Sequence, residues 1–336
     1  MIYKSHAIYR HFMLLLLFAI LLNSCNRNFI QNDTPTLEYA SVFQTPQIRE
    51  KFEILERSVV RLNIYVSYQL AVFSPGSNVL PAHVSDESVL QNTMARVVRN
   101  ESFNATAFLV SADNEYFYLL TCAHSVVFPD SLITYDSRAD ETGQQYVISY
   151  AEKTSQLLQL YMPSGVQEAE IMMFDKKTDL ALLRCKRKTL IDFNYPALPD
   201  PKSAEGINRG DLIWISGFPA GKSMMIQGIA GKTDKDGVFI TDAPLSEGYS
   251  GAPVFAYSNR LENFVLVGVG RSVAAKSEYV LKPEKGIHET AYNQVLPYQG
   301  QTYVSIENRP VAGISYVIGA ETISGFLRLC ELPGYK

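Results

Sequence analysis

Apolar and polar residues alternate over several short stretches of this chain. Residues 58–66 place Val60, Leu62, Ile64 and Val66 on one side of an extended segment and mostly polar side chains on the other. Because successive side chains of a strand point to opposite faces, this pattern predicts a strand with one buried face. Similar apolar runs occupy residues 116–120, 157–161 and 180–183. The 20 Tyr and 17 Phe residues also favour strands.

Helical patterns are short. Thr45 and Pro46 can cap and start a helix near the beginning of the folded part of the chain. The apolar face of that helix would contain Ile48, Phe52 and Leu55.

Two stretches are longer than a simple connection between strands requires. Residues 73–104 contain Gly and Pro, with one possible short helix near residues 89–97, and residues 130–154 are largely polar. We expect both to be insertions, and long loops on a rigid scaffold usually carry specificity or regulation.

Residues 1–25 predict a secretion signal. Lys4 and Arg10 precede an apolar run at residues 12–22, which is too short for an ordinary membrane-spanning helix. The run ends in Asn23, Ser24 and Cys25, which resembles the lipobox of bacterial lipoproteins. The resemblance implies that Cys25 is lipid-modified and holds the protein to a membrane, an expectation that membrane fractionation tests. Asn23 departs from the usual lipobox residue, and simple secretion or a retained anchor are the alternatives.

Asn26 follows the predicted lipidated cysteine and, by analogy with lipoproteins, favours the outer membrane. Residues 26–57 are expected to form a polar tether that ends in the short helix, with the folded domain at residues 58–330.

Composition excludes some classes of protein. The 336 residues are 47% hydrophobic, which is enough to bury a large core in one large or two modest domains. The net charge of −4 gives no basic face, so nucleic acid is not an expected partner. The sequence contains no His/Cys pattern with metal-ligand spacing, and we expect neither a metal nor a cofactor.

A serine between two glycines comes directly before an apolar run. Gly248, Tyr249, Ser250 and Gly251 precede Ala252, and glycines allow a tight turn that approaches a ligand closely. The N–H groups of Gly248 and Ser250 could both point at the negative oxygen of a tetrahedral acyl intermediate. The pattern therefore predicts that Ser250 is a nucleophile beside an oxyanion hole, with a plain surface turn as the alternative.

A base and an acid stand at two strand ends. His124 follows the apolar run at residues 116–120, and Asp179 directly precedes the run at residues 180–183. Imidazole has a reference pKa near 6.5 and can accept the serine proton, while a carboxylate fixes the tautomer of the ring. The chain thus carries a candidate His, Asp, Ser set in that order. A buried structural histidine and a strand-start cap are the alternatives for His124 and Asp179.

The serine motif nearly fits the Gly-x-Ser-x-Gly elbow of α/β-hydrolases. In those enzymes the acid and the base follow the serine, and a helix comes after it. Here no Asp follows Asp242, and Pro253 argues against a helix. The elbow interpretation is therefore poor.

Several blocks in order give the chain a family resemblance. The blocks are residues 106–111, 121–124, 179–183, 213–221, 241–243, 248–253, 266–269 and 313–318. Together they resemble chymotrypsin-fold (trypsin-like) serine proteases, nearest to the bacterial HtrA/DegP-like proteases. The resemblance implies an all-β fold of two six-stranded antiparallel β-barrels, with short helices at the N- and C-terminal ends. It also implies a serine endopeptidase that forms an acyl-enzyme and acts on proteins or peptides. The alternative is a catalytically silent surface lipoprotein that uses the fold to bind peptides or partner proteins.

The resemblance also places a specificity pocket. It implies Pro244 as the floor, six residues before the nucleophile, and a wall within residues 268–274. Gly268 and Gly270 would leave room there, while Arg271 would be the nearby charge. Since Pro244 is uncharged, cleavage after Lys or Arg is not expected, and small or medium apolar residues are favoured over acidic ones.

Tyr249 occupies the position where trypsin-type zymogens carry the Asp that pairs with a new N-terminal amine. A phenol cannot make that ion pair, so we expect no activation by N-terminal cleavage. With Cys25 lipidated, Cys122, Cys185 and Cys330 cannot all pair, and free thiols are expected.

Overall fold

The computed structural model describes residues 41–74, 76–139, 143–187, 207–283 and 302–332. The signal peptide, Cys25 and most of the tether lie outside these ranges, so lipidation and localisation stay predictions from the sequence. Within them, no helix has both the length and the hydropathy needed to cross a bilayer. The chain divides after Gln44, and the unit that starts at Thr45 contains the helix as well as the strands.

The first barrel has six antiparallel strands and one further strand at its edge. The strands are β1 (Val59–Val72), β2 (Ala95–Ala112), β3 (Tyr116–Cys122), β4 (Ser131–Ala139), β5 (Gln145–Met162), β6 (Gly165–Asp175) and β7 (Leu180–Lys186). They are ordered β1-β2-β3-β7-β6-β5-β4, and pairing of β1 with β5 closes the barrel. Strand β4 remains outside the closed ring.

The second barrel is closed by six strands. These are β8 (Leu212–Gly217), β9 (Met224–Thr233), β10 (Val238–Thr241), β11 (Pro253–Ser258), β12 (Asn263–Pro283) and β13 (Thr302–Gly319). Their order around the barrel is β10-β13-β12-β11-β8-β9. The predicted all-β fold of two six-stranded antiparallel barrels is confirmed.

The alternation in the sequence decides which side of β1 is buried. Val60, Leu62, Ile64 and Val66 are at most 2% exposed and lie in the core of the first barrel. Residue Leu62 stands opposite Ala105 on β2 and Leu160 on β5, so it packs inside the ring. Burial of these side chains, each contributing about 1.5–3 kcal/mol, favours this register over a one-residue shift.

The end of the first predicted insertion and most of the second are strands. The possible helix at residues 89–97 is confined to α2 (Glu87–Gln91), and β2 has already begun at Ala95. Between residues 130 and 154 the chain forms β4 and the first half of β5. Most side chains in the first part of β2 are exposed, so this part has no apolar face that the sequence could reveal.

Short helices lie at both ends of the described unit. Helix α1 (Pro46–Glu56) starts where predicted, and the Thr45 hydroxyl accepts a hydrogen bond from the Ile48 N–H. Its Phe52 ring meets Phe255 and Phe264 edge-on in the second barrel. The other helices are α3 (Ala123–Val126) and α4 (Ala320–Leu329).

Candidate active site

The serine lies on a tight turn between β10 and β11. Gly248 and Gly251 have φ values of +100° and +83°, a region that residues with a Cβ rarely adopt. A Cβ on Gly248 would overlap the Phe218 carbonyl, and one on Gly251 would overlap the Thr106 carbonyl and the Thr121 hydroxyl. Both glycines are therefore required by conformation and by space.

The histidine and the aspartate are brought together by strand pairing. Cys122 at the end of β3 stands opposite Leu180 at the start of β7, so the residues just beyond these ends are neighbours. The Ala123 N–H donates to the Asp179 carbonyl at 3.0 Å. Asp179 has a positive φ of 61°, an uncommon conformation for a non-glycine residue that often marks a functional site.

The three predicted side chains form one hydrogen-bonded chain. His124 Nδ1 lies 2.8 Å from Asp179 Oδ2, and His124 Nε2 lies 3.0 Å from Ser250 Oγ. The His124 backbone N–H also donates to Asp179 Oδ1 at 2.9 Å. The carboxylate therefore fixes both the ring and the backbone of the histidine.

Asp179 is buried but ionised. Burial by itself would raise the pKa of the carboxyl group. The hydrogen bonds from His124 and the positive charge of Arg271 outweigh that effect, so the pKa lies below the ordinary value. An ionised carboxylate only accepts hydrogen bonds, so His124 carries its proton on Nδ1 and leaves Nε2 as the acceptor for the Ser250 hydroxyl.

Arg271 contacts two members of the site. Its Nε donates to Asp179 Oδ2 at 3.2 Å, and its backbone carbonyl lies 3.2 Å from Ser250 Oγ. Sequence reasoning placed Arg271 only in the specificity pocket. Its contact with Asp179 depends on how β12 passes the first barrel, and no local pattern reveals that.

A small cavity of about 200 Å³ opens beside Ser250. Its lining residues are Leu245, Ser246, Glu247, Ser250, Arg271 and Val273. Arg271 was expected there, whereas Pro244, Gly268 and Gly270 are not among the lining residues.

Pro244, Gly268 and Gly270 lie elsewhere in the second barrel and its loops. Pro244 is exposed, while Leu245 is only 5% exposed and takes the position by the cavity. A Cβ on Gly268 would overlap Val317 on β13, and one on Gly270 would lie 3.1 Å from the Tyr249 carbonyl. These glycines permit close packing inside the second barrel and do not widen the pocket.

Tyr249 is buried in the core of the second barrel. Burial raises the pKa of its phenol to about 12, so the group is uncharged at neutral pH. Within the described parts of the chain, its hydroxyl has no hydrogen-bond partner.

The structure describes Cys122, Cys185 and Cys330, and none of these three forms a disulfide, as expected. Cys122 lies close enough to His124 and Asp179 for the three to hold a metal ion. However, burial and the charge of Asp179 raise the pKa of the thiol well above its usual range. Asp179 is also already paired with Arg271, and a cysteine binds a metal only as its thiolate, so these residues are a poor fit to a metal ion.

Comparison with known proteins finds a similarity to one domain family. Residues 105–268 match the model of the trypsin-like peptidase domain. This segment contains His124, Asp179 and Ser250 and takes in strands of both barrels, so the chain is similar to trypsin-like peptidases over the part that holds the candidate site. No curated protein matches the chain.

Several solved structures resemble the chain at low identity. The serine endoprotease from Yersinia pestis is 16% identical, with a TM-score of 0.45, over 87% of this chain and 67% of that one. The active form of the Rv3671c protease from M. tuberculosis is 14% identical, with a TM-score of 0.44, over 89% and 95%. Kallikrein-related peptidase 10 is 10% identical, with a TM-score of 0.36, over 78% and 94%.

Proposed function

We propose that this protein is a serine endopeptidase that cleaves peptide bonds through an acyl-enzyme on Ser250. One observation carries the proposal. The imidazole of His124 bridges the Asp179 carboxylate and the Ser250 hydroxyl with contacts of 2.8 and 3.0 Å. This arrangement fits nucleophilic attack with general-base assistance.

The proposed reaction follows from the proton on Nδ1 of His124, which leaves Nε2 free to accept the proton of Ser250. Ser250 Oγ bonds to the substrate carbonyl carbon while its proton moves to His124 Nε2, and the carbonyl oxygen becomes an oxyanion. Breakage of the C–N bond then releases the amine, which takes that proton and leaves an ester on Ser250. Water attacks the ester with His124 again as base, which frees the acid product and returns the proton to Ser250. Asp179 stabilises the imidazolium in both halves.

The N–H groups of Gly248 and Ser250 are the donors for the oxyanion in this proposal. Among the residues that the structure describes, neither N–H has a hydrogen-bond acceptor, so both are available to a ligand. Loss of one such donor costs about 2.7–4 kcal/mol of transition-state stabilisation in comparable sites.

The test is covalent labelling. We expect a fluorophosphonate probe to modify Ser250, because only a serine activated by a neighbouring base reacts rapidly with it. Peptide mapping by mass spectrometry locates the label. Ser250→Ala should abolish labelling, while Ser131→Ala, a change at an exposed serine at the start of β4, should leave it intact. A folded wild-type protein that never labels at Ser250 would instead support the peptide-binding alternative.

The pocket favours cleavage after small or medium apolar residues. Leu245 and Val273 give it apolar walls, while its two charged lining residues, Glu247 and Arg271, carry opposite signs. The lining therefore has no excess of negative charge that would select a substrate cation, and its apolar walls favour an apolar side chain. We expect a peptide library to show cleavage mainly after residues such as Ala or Val.

A matched pair of variants tests which side chains set this preference. Val273→Gly should move the preference towards larger apolar residues, since it removes a wall of the cavity. Arg271→Ala should not create a preference for acidic substrate residues. If the wild type prefers acidic residues, Arg271→Ala should abolish that preference. Dominant cleavage after Lys or Arg by the wild type would contradict the assignment of this cavity.

A further inference from the structure

Thr106 links the nucleophile loop to the first barrel. It lies on β2, is fully buried, and contacts a loop that belongs to the second barrel. Its hydroxyl donates to the Gly248 carbonyl at 2.7 Å and accepts from the Phe218 N–H at 3.0 Å. One hydroxyl therefore joins two separate segments of the second barrel.

The backbone of Thr106 adds a second connection to the same loop. Its N–H donates to the Ser250 carbonyl at 2.9 Å. Its own carbonyl accepts from the Thr121 hydroxyl at 2.7 Å, which fixes Thr106 to the neighbouring strand β3. Thr106 therefore donates hydrogen bonds to the carbonyls of both neighbours of Tyr249, Gly248 and Ser250.

The rest of the turn is also held by hydrogen bonds. The Tyr249 N–H donates to the Ser246 carbonyl at 3.0 Å, and the Ala252 N–H donates to the Tyr249 carbonyl at 2.9 Å. The Gly251 N–H donates to the Gly270 carbonyl at 2.9 Å. Among residues 246–252, all of which are described, the peptide between Glu247 and Gly248 has no such bond. Its N–H is the Gly248 donor of the oxyanion hole.

Space around Thr106 is also arranged for this contact. A Cβ on Gly217 would lie 3.0 Å from the Thr106 hydroxyl and 2.7 Å from the Tyr249 ring. The glycine leaves room for the hydroxyl to reach Gly248 and for the buried tyrosine beside it.

We propose that Thr106 is a positioning residue, whose hydroxyl holds the Gly248 carbonyl so that the N–H groups of Gly248 and Ser250 face the substrate. The inference rests on the proposed peptidase function. Without the hydroxyl, the buried Gly248 carbonyl and Phe218 N–H lose their partner, and Gly248 can rotate freely about its backbone.

Thr106→Val tests the role because valine keeps the shape and removes only the hydrogen bonds. We expect kcat for a peptide substrate to fall about tenfold to a hundredfold, somewhat less than the effect of deleting an oxyanion donor. KM should change less than about threefold, since ground-state binding does not use the oxyanion contacts. Thr106→Ser, which restores the hydroxyl, should recover most of the lost kcat.

A second readout does not depend on activity. Amide hydrogen exchange of Tyr249 and Thr106 reports whether the loop stays docked. The Tyr249 N–H donates to the Ser246 carbonyl inside the loop, and the Thr106 N–H donates to the Ser250 carbonyl of the loop. We expect these amides to exchange at least about tenfold faster in Thr106→Val. Thr241→Val is the matched control, because it too removes a buried threonine hydroxyl, here on β10, which accepts a hydrogen bond from the Ala243 N–H and contacts neither Gly248 nor Ser250 in the described structure. Thr106→Ala replaces the valine variant if that variant does not fold.

The outcomes separate the two proposals. Wild-type exchange rates and wild-type kcat in Thr106→Val would overturn the positioning role, as would a loss of kcat that Thr106→Ser does not restore. A wild-type protein that does not label at Ser250 would contradict the peptidase function. In that case, unchanged exchange in Thr106→Val would still refute the docking of the loop by Thr106, and faster exchange would support it.

Discussion

Asp179→Asn should lower kcat about 10⁴-fold while leaving the fold intact. The asparagine amide can present its N–H₂ to His124, which favours the wrong ring tautomer and leaves Nε2 protonated where it must accept the Ser250 proton. The amide also cannot stabilise the imidazolium, and it loses the pairing with Arg271. Steady-state kinetics on a peptide substrate and the rate of fluorophosphonate labelling both measure the loss. Asp236→Asn, in an exposed turn, is the control and should keep wild-type kcat.

The same variant has a consequence for stability against acid. The pKa of Asp179 in the folded state lies below the ordinary value for an aspartate, because the hydrogen bonds from His124 and the charges of His124 and Arg271 outweigh the effect of burial. Its ionised form therefore stabilises the fold at any pH above the ordinary value, and this contribution is lost as the pH falls through the folded pKa. The difference in unfolding free energy between wild type and Asp179→Asn should therefore be constant at neutral pH and shrink in strong acid. A difference that grows towards low pH would contradict the assigned direction.

Gly251→Ala should destabilise the protein by about 3–5 kcal/mol. The new Cβ would overlap the Thr106 carbonyl, which is backbone and cannot rotate away, and a φ of +83° is itself unfavourable for alanine. The loop would have to move away from β2, so Ser250 would also leave His124. Urea unfolding measures the first effect and probe labelling the second.

Gly143→Ala separates the two causes. Gly143 has nearly the same φ of +82°, but among the described residues beyond its chain neighbours no atom lies within 4 Å of the position of a new Cβ. Only the conformational cost should remain, about 1–2 kcal/mol. Equal losses in the two variants would show that steric overlap with Thr106 does not matter.

The alternation of apolar and polar residues predicted those strands that have one buried and one exposed face. The first half of β1 alternates apolar and polar side chains because one face fills the barrel, and the Thr45-Pro46 pair marks the start of α1 chemically. The first part of β2 and all of β4 were assigned to loops because exposed strands lack an apolar face. What holds them is backbone pairing with β1 and β5, which is a property of their neighbours.

The cavity beside Ser250 is lined in part by residues that a count from Ser250 does not name, such as Leu245 and Val273. The register of β12 against β13 shifts between Gly270 and Ser272 and again between Val273 and Ala275. These irregularities change which side chains of β12 beyond Gly270 face the cleft, and Val273 lines the cavity. A bulge depends on the partner strand as well as on the residues that form it, so a count along the chain does not place these side chains.

The sequence by itself predicted that His124, Asp179 and Ser250 act together, because the roles proposed for them require particular residue types at strand ends and at a glycine-flanked turn. It also determined the two-barrel fold, through the blocks that carry the family resemblance. Only the tertiary structure decided that Arg271 pairs with Asp179 and that Thr106 holds the Gly248 carbonyl. These contacts join residues 92 and 142 positions apart, and such distances close only when both barrels have packed.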